Sequence, residues 1–183
     1  MGRKRRDAYA GTHHITLHAI GSAPLFVDDD DFRTRLEILR EVCVDDCRVN
    51  MLCLMDNHEH LLLTVADGVL PDAMRRMNRA YAGYVNSRHR RKGHVYDGPY
   101  HSVRVTTEQH ALSVVAYVAL NPEGARYRAE TYPWSSYRSL IDGRTQFPFV
   151  DPEPILAWFG GGDGAREQIA SFVDSARARR RAA

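Results

Sequence analysis

The chain has 183 residues, 44% of them apolar and 26% charged, with a formal net charge of +2 at pH 7. That composition suits one soluble globular domain, with room for a small appendage. It excludes a helical membrane span, because no apolar run approaches the roughly 18 residues that cross a bilayer.

The start, Met1-Gly2-Arg3-Lys4-Arg5-Arg6, is basic with no apolar stretch behind it, so it does not read as a secretory signal. Arg6 stands where a myristoylation site wants Ser or Thr. The three cysteines, Cys43, Cys47 and Cys53, then read as reduced thiols of a cytoplasmic protein. Cys43 and Cys47 are one helical turn apart, but no second pair at zinc-site spacing follows.

Thr12 to Ile20 alternates as a strand does and is ended by Gly21-Ser22-Ala23-Pro24. Asp29 to Val44 carries apolar residues at helical spacing, Phe32, Leu36, Leu39 and Val42. The acidic run Asp28-Asp29-Asp30-Asp31 suits its N-terminus, where the helix dipole favours negative charge. Arg48 to Met55 and His58 to Val65 read as two strands joined at Asp56-Asn57, a turn pair. Leu70 to about Ser87 is a second helix, with Pro71 in its first turn and Met74, Met77, Tyr81 and Tyr84 along one face. A basic, Gly-containing loop follows, from Arg88 to Gly98.

Tyr100 to Val105 is a fourth strand, and Thr106 or Thr107 caps a third helix that runs to Leu120 and stops at Asn121-Pro122-Glu123-Gly124. Pro133-Trp134-Ser135-Ser136-Tyr137 reads as an anchor back onto the domain. Gly160 to Gly164 reads as a flexible break, and Ala165 to Ala178 as a last helix with a frayed basic end, Arg177 to Arg181. The order β-α-β-β-α-β-α is that of an α+β, ferredoxin-like split βαβ fold. Its sheet is antiparallel with helices on one face, and an additional C-terminal helical segment follows.

Net charge says little about partners, but its distribution says more. Arg75, Arg76, Arg79, Arg88, Arg90, Arg91, Lys92 and Arg104 form a basic stretch interleaved with Tyr81, Tyr84, Tyr96 and Tyr100. Such a run is either a solvated face or a strand-holding surface, with charges for phosphates and rings for bases.

His58-Glu59-His60 opens the third strand, where side chains two apart share a face. Two imidazoles side by side are a ready pair of metal ligands, or two hydrogen-bonded histidines in a polar patch. Tyr117 and Asn121 lie four apart near the end of the third helix, so they stack on one face. A helix crossing the open face of the sheet would bring them to the histidines. His58, His60 and Asn121 would then hold a metal and Tyr117 would be the nucleophile. The plainer readings are a half-buried tyrosine and a C-cap asparagine.

Five pieces carry a resemblance: residues 53–63 (CLMDNHEHLLL), 81–86 (YAGYVN), 93–98 (GHVYDG), 117–122 (YVALNP) and 134–137 (WSSY). In order and spacing, from about residue 8 to residue 142, the chain resembles the single-tyrosine transposases of the HUH superfamily, in particular the REP-associated tyrosine transposases. The resemblance implies a catalytic domain over residues 1–145 and a C-terminal helical extension over 146–183. It implies Mg²⁺ or Mn²⁺ on His58 and His60, with Asn121 at a polar metal-site position, and Tyr117 as nucleophile. Imidazole ligands favour zinc over these ions on affinity alone, so availability and geometry would decide.

The implied reaction is nicking and strand transfer on single-stranded DNA with hairpin structure, through a 5′-phosphotyrosine link. The Arg75–Lys92 stretch and Arg104 would hold the strand. A homodimer is compatible with the resemblance, and no membrane partner is expected. The chain departs from the family pattern at Leu17-His18, at Pro99, at Glu123-Gly124 and at Glu59, which alternation turns to the opposite face from its neighbours. Two other classes compete: a hairpin-binding module that does not cut, and a metal hydrolase using water, for which Glu59 is a badly placed base.

Overall fold

The computed structural model describes residues 9–182 except Ser22 and Asp45. The basic start at residues 1–6 and Ser22 of the first turn therefore lie outside the described residues. The strands are β1 (Gly11–His18), β2 (Cys47–Met55), β3 (His58–Val65) and β4 (His101–Arg104). The helices are α1 (Asp29–Val42), α2 (Leu70–Arg88), α3 (Glu108–Ala119), α4 (Asn121–Gly124), α5 (Tyr137–Asp142), α6 (Glu153–Leu156) and α7 (Gly162–Ala182), with 3₁₀ turns at Ala129–Thr131 and Ala157–Phe159. No helix among the described residues is long and apolar enough to cross a membrane.

The four strands pair in the order β2-β3-β1-β4, every pair antiparallel, as the split βαβ order predicts. α1 starts where the acidic run predicts: the Asp28 carboxylate accepts from the backbone N–H of Asp30 and Asp31 at 3.1 and 3.3 Å. Thr107 caps α3 by accepting from His110 N–H at 3.2 Å.

The two sheet faces carry two cores. On one, Ile15, Leu17, Leu52, Leu54, Leu61 and Leu63 meet α1 and α2 through Phe32, Leu39, Met74, Met77 and Tyr81. On the other, Met51, Cys53, Met55 and Leu62 meet α3 and the C-terminal helices through Val115, Val118, Tyr137, Ile155, Ile169 and Val173. The split βαβ helices thus occupy one face, and the later helices cover the second.

A register shift between Val49 and Met51 makes this division work. The extra residue, Asn50, changes the parity of β2, so Val49 faces α1 and α2 while Met51 and Cys53 face α3. Its side chain is fully used: Nδ2 donates to Asp151 O at 2.9 Å and Oδ1 accepts from Thr64 Oγ1 at 2.6 Å.

The segment read as an anchor back onto the domain closes the outer edge of β2, together with Tyr132 just before it. Leu54 N–H donates to Trp134 O at 2.9 Å, Ser136 N–H to Leu52 O at 3.0 Å, and Tyr132 OH to Leu54 O at 2.9 Å. These bonds satisfy an edge that would otherwise invite a foreign strand. Trp134 also stacks flat on Phe32, with ring centroids 4.6 Å apart.

Three C-terminal expectations are corrected. Asn121-Pro122-Glu123-Gly124 does not only stop α3; it forms the single turn of α4, with Pro122 where its missing N–H costs nothing. The basic end is not frayed: α7 runs to Ala182, with Arg177 and Arg180 tied to the rest of the chain. The glycine run is a turn rather than a loose break, because Gly160, Gly161 and Gly162 all hold left-handed φ values that lead into α7.

Candidate active site

The site lies on the α3 face of the sheet. Strand pairing sets His58 opposite His18 and His60 opposite Thr16. Side chains directly opposite share a face, so β1 contributes His14, Thr16 and His18 beside the histidines of β3. Glu59 points the other way, as alternation predicts. It is fully buried against Arg35 of α1, whose Nε donates to its Oε2 at 2.9 Å and whose Nη2 donates to its Oε1.

α3 crosses this face and delivers Tyr117, and α4 begins at Asn121 one turn later. The Asn121 amide sits between the two imidazoles, with Oδ1 2.7 Å from His58 Nε2 and Nδ2 3.0 Å from His60 Nε2. The Tyr117 ring stands edge-on to His60 at 5.1 Å and to His14 at 6.0 Å between centroids. It remains 46% exposed, so a substrate can reach it, whereas His60 is buried at 1%.

Behind this layer both imidazoles are held at Nδ1. His58 Nδ1 lies 2.7 Å from Asn57 Oδ1; His60 Nδ1 lies 3.1 Å from His14 Nε2 and 3.3 Å from Thr16 Oγ1. Burial drives the His60 pKa down to about 3, helped by the neighbouring His14, His58 and His18 rings. Burial likewise drives His14 down to about 4, helped by His101 and His110. It lowers His58 as well, although the Asn121 hydrogen bond opposes it. The three rings are therefore neutral at pH 7, the form that binds metals.

The donor set fits a divalent cation. His58 Nε2, His60 Nε2 and Asn121 Oδ1 converge on one another, and in the tautomer with both ring protons on Nδ1, towards Asn57 Oδ1 and towards His14 Nε2 or Thr16 Oγ1, the two Nε2 lone pairs and the carboxamide oxygen would hold a cation. Among the described residues no group of three or more His, Cys, Asp or Glu could hold a metal ion, so a third ligand beside the histidine pair would have to be the Asn121 carboxamide.

The structure thus brings together His58, His60, Asn121 and Tyr117. It does not bring the basic stretch to them. Arg75, Arg76 and Arg79 are exposed on α2, which packs on the other face of the sheet. Arg75 is paired with Asp72 at 2.5 Å. Arg88 is committed to Asp28 and Asp31 at 2.7 and 2.6 Å, tying α2 to the start of α1. Arg90 and Lys92 are exposed in the loop, and Arg91 donates to Pro24 O at 3.3 Å. Arg104 pairs with His13, whose parity is that of Ile15 and Leu17, again the α1–α2 face.

Two residues at the site were not singled out in the sequence. His14 was visible in principle, since His14, Thr16 and His18 alternate along β1. Arg180 was not, because 63 positions separate it from the Tyr117 ring, over which its Cζ lies at 5.8 Å.

Residues 8–121, more than half of the chain, match the family described as "Transposase IS200 like". A solved REP-associated tyrosine transposase bound to a REP hairpin is similar in fold, with a TM-score of 0.63 and 14% identity, over 81% of this chain and 90% of that one. A transposase-like crystal structure from Deinococcus radiodurans aligns with a TM-score of 0.45 and 21% identity, over 64% of this chain and 95% of that one. No curated protein matches the chain. The matched span contains the histidine pair, Tyr117 and Asn121, and the chain belongs to the IS200-like transposase family.

Proposed function

We propose that the protein nicks and rejoins single-stranded DNA through a covalent link between Tyr117 and a 5′-phosphate. The observation that carries this is the half-exposed Tyr117 ring set against His60 and His14, one helical turn from an asparagine that touches both Nε2 atoms. In this reading His58, His60 and Asn121 would hold Mg²⁺ or Mn²⁺. Such an ion polarises a phosphate oxygen and favours the phenolate of a tyrosine whose ordinary pKa is about 10.

Tyr117 Oη attacks the scissile phosphorus and gives up its proton. An O–P bond forms, the P–O3′ bond breaks, and the departing oxygen takes a proton to become a 3′-hydroxyl. The number of phosphoester bonds is unchanged, so a second 3′-hydroxyl can reverse the step and no nucleotide need be hydrolysed. The likeness to a transposase that binds a REP hairpin supports single-stranded DNA with hairpin structure as the substrate class. The exposed Arg75, Arg76, Arg79, Arg90, Lys92 and Arg104 would then meet phosphates of the folded part, away from the cut.

The test is incubation with hairpin-bearing single-stranded oligonucleotides and Mn²⁺ or Mg²⁺, scored for an adduct that survives denaturation. The expected result is an adduct that Tyr117→Phe abolishes and His58→Ala strongly weakens. An adduct that persists in Tyr117→Phe would reject this nucleophile. Cleavage with no adduct at any time would favour the hydrolase, and binding without cleavage the non-catalytic module.

A further inference from the structure

A groove of about 720 Å³ runs between α4 and the end of α7, beside the site and outside the basic stretch of α2. Five arginines and two glutamates line it. Both glutamates are already taken: Arg177 donates to Glu123 at 2.6 Å and also pairs with Glu130 and Asp174. Arg126, Arg128, Arg180 and Arg181 form no salt bridge with any described residue, so five arginines against two glutamates leave the groove lining with an excess of positive charge.

The groove leads to the nucleophile. Arg180 lies over the Tyr117 ring at 5.8 Å and donates to Leu120 O at 3.3 Å, latching α7 to the end of α3. A second cleft of about 470 Å³, lined by His58, Asn57 and Asn121, shares Gly124 with it. A chain lying in the arginine groove would therefore pass Gly124 to reach the histidines.

Two further residues say what that chain is. Tyr127 lines the groove, is 50% exposed, and meets the Tyr132 ring in a tilted contact at 5.0 Å between centroids, which braces an exposed aromatic face that an unpaired base could stack on. Arg126 holds φ +67°, with its N–H on Glu123 O and that of Tyr127 on Pro122 O, both at 3.0 Å. This is a Schellman cap, whose left-handed position ordinarily takes glycine or asparagine. An arginine stands in place of the usual glycine, and its side chain lines the groove.

We propose that this groove is a phosphate-backbone seat for the single-stranded DNA segment that enters the Tyr117 site. It rests on the reading of Tyr117 as nucleophile only for the direction in which the strand runs. Backbone charges meet Arg126, Arg128 and Arg181, a base stacks on Tyr127, and Arg180 sits where the strand meets the tyrosine.

The test is fluorescence anisotropy of the full chain with a labelled single-stranded oligonucleotide, in chelator so that no cleavage occurs, over a salt series. Arg126→Gly with Arg181→Gln is compared with Arg33→Gln plus Arg40→Gln on α1, which removes the same charge from the far face. The groove variant is expected to bind about tenfold more weakly and to lose about 1.4 from the log–log salt slope, two single-strand contacts' worth. Its thermal midpoint should be no lower than wild type, and the α1 variant should bind as wild type does. Wild-type affinity and slope in the groove variant, or an equal loss in the α1 variant, overturns the proposal. An equal loss of affinity for the matching duplex overturns the commitment to a single strand. Groove-dependent binding without any adduct would leave the seat standing and reject the nucleophile. A normal adduct with undiminished binding in the groove variant would do the reverse.

Discussion

The back of the site makes a demanding prediction. Arg35 and Glu59 are both fully buried beneath the strand that carries His58 and His60. Arg35 Nε donates to Glu59 Oε2 at 2.9 Å, Nη2 to Glu59 Oε1, Nη1 to Met77 O at 3.1 Å and Nη2 to Asn78 Oδ1 at 3.3 Å. Burial alone would lower the Arg35 pKa; Glu59 outweighs it and holds the guanidinium above its ordinary value. Arg35→Met removes the cation and leaves a carboxylate with no counter-charge, a change that costs about 3–5 kcal/mol. Against a total stability of about 5–15 kcal/mol this is a large fraction. Arg35→Met/Glu59→Leu removes both charges and should recover most of the loss, because an apolar replacement of a buried pair is close to neutral. Urea unfolding at pH 7 measures each variant, and the double-mutant cycle should show a coupling above about 2 kcal/mol. A loss below about 1 kcal/mol for Arg35→Met would refute the reasoning. So would a double variant no more stable than the single one.

Three further outcomes are expected from the structure. Arg126→Gly alone should raise stability by about 1 kcal/mol, since it relieves a left-handed non-glycine residue, which is roughly 2–4 °C in melting temperature for a chain of this length. Asp31 is buried, which raises its pKa, but the Val27 N–H, His89 and Arg88 more than offset that and hold the carboxyl below its usual range. A depressed carboxyl stabilises the fold above its unfolded pKa, near 4, and loses that contribution as pH falls through the folded value. Acid titration of the unfolding free energy should therefore fall more steeply for wild type than for Asp31→Asn below about pH 4; parallel curves would exclude Asp31 as a contributor. Finally, His14→Ala removes a partner of His60 Nδ1 while Thr16 remains. Mn²⁺ affinity, read by calorimetry, should drop about 10–100-fold with the melting temperature little changed, and unchanged affinity would show that His14 does not orient the ligand.

What was legible in the sequence was local periodicity. Period two put His58 and His60 on one face and Glu59 on the other, and the structure buries Glu59 against Arg35 accordingly. The four-residue spacing put Tyr117 and Asn121 on one side of a helix end, and both reach the histidines. What was not legible was anything set by distant contact. The α2 and loop arginines formed one run on paper, but a charge run has no parity. Folding sends Arg88 to Asp28 and Asp31, nearly sixty positions away, and Arg104 to the α1–α2 face. The end of α7 read as frayed because its partners, Glu123, Glu130 and Leu120, lie at least 47 positions away.

The bulge at Asn50 shows why the face of the site could not be read from β2 itself. Strict alternation from Cys47 would have kept Val49, Met51, Cys53 and Met55 on one side, with the α1–α2 core. The extra residue moves Met51, Cys53 and Met55 across, and the two-residue turn at Asp56-Asn57 sets Met55 opposite His58 and Cys53 opposite His60. The histidines are thereby continuous with the core formed by α3, and Val115, Val118 and Ala119 pack into that same core on either side of Tyr117. A side chain on a loop would have to be ordered when a substrate arrives. Tyr117, on a helix packed into the core beside the histidine pair, is already placed relative to His60, because Val115 and Val118 of the same helix share a buried core with Cys53 and Leu62.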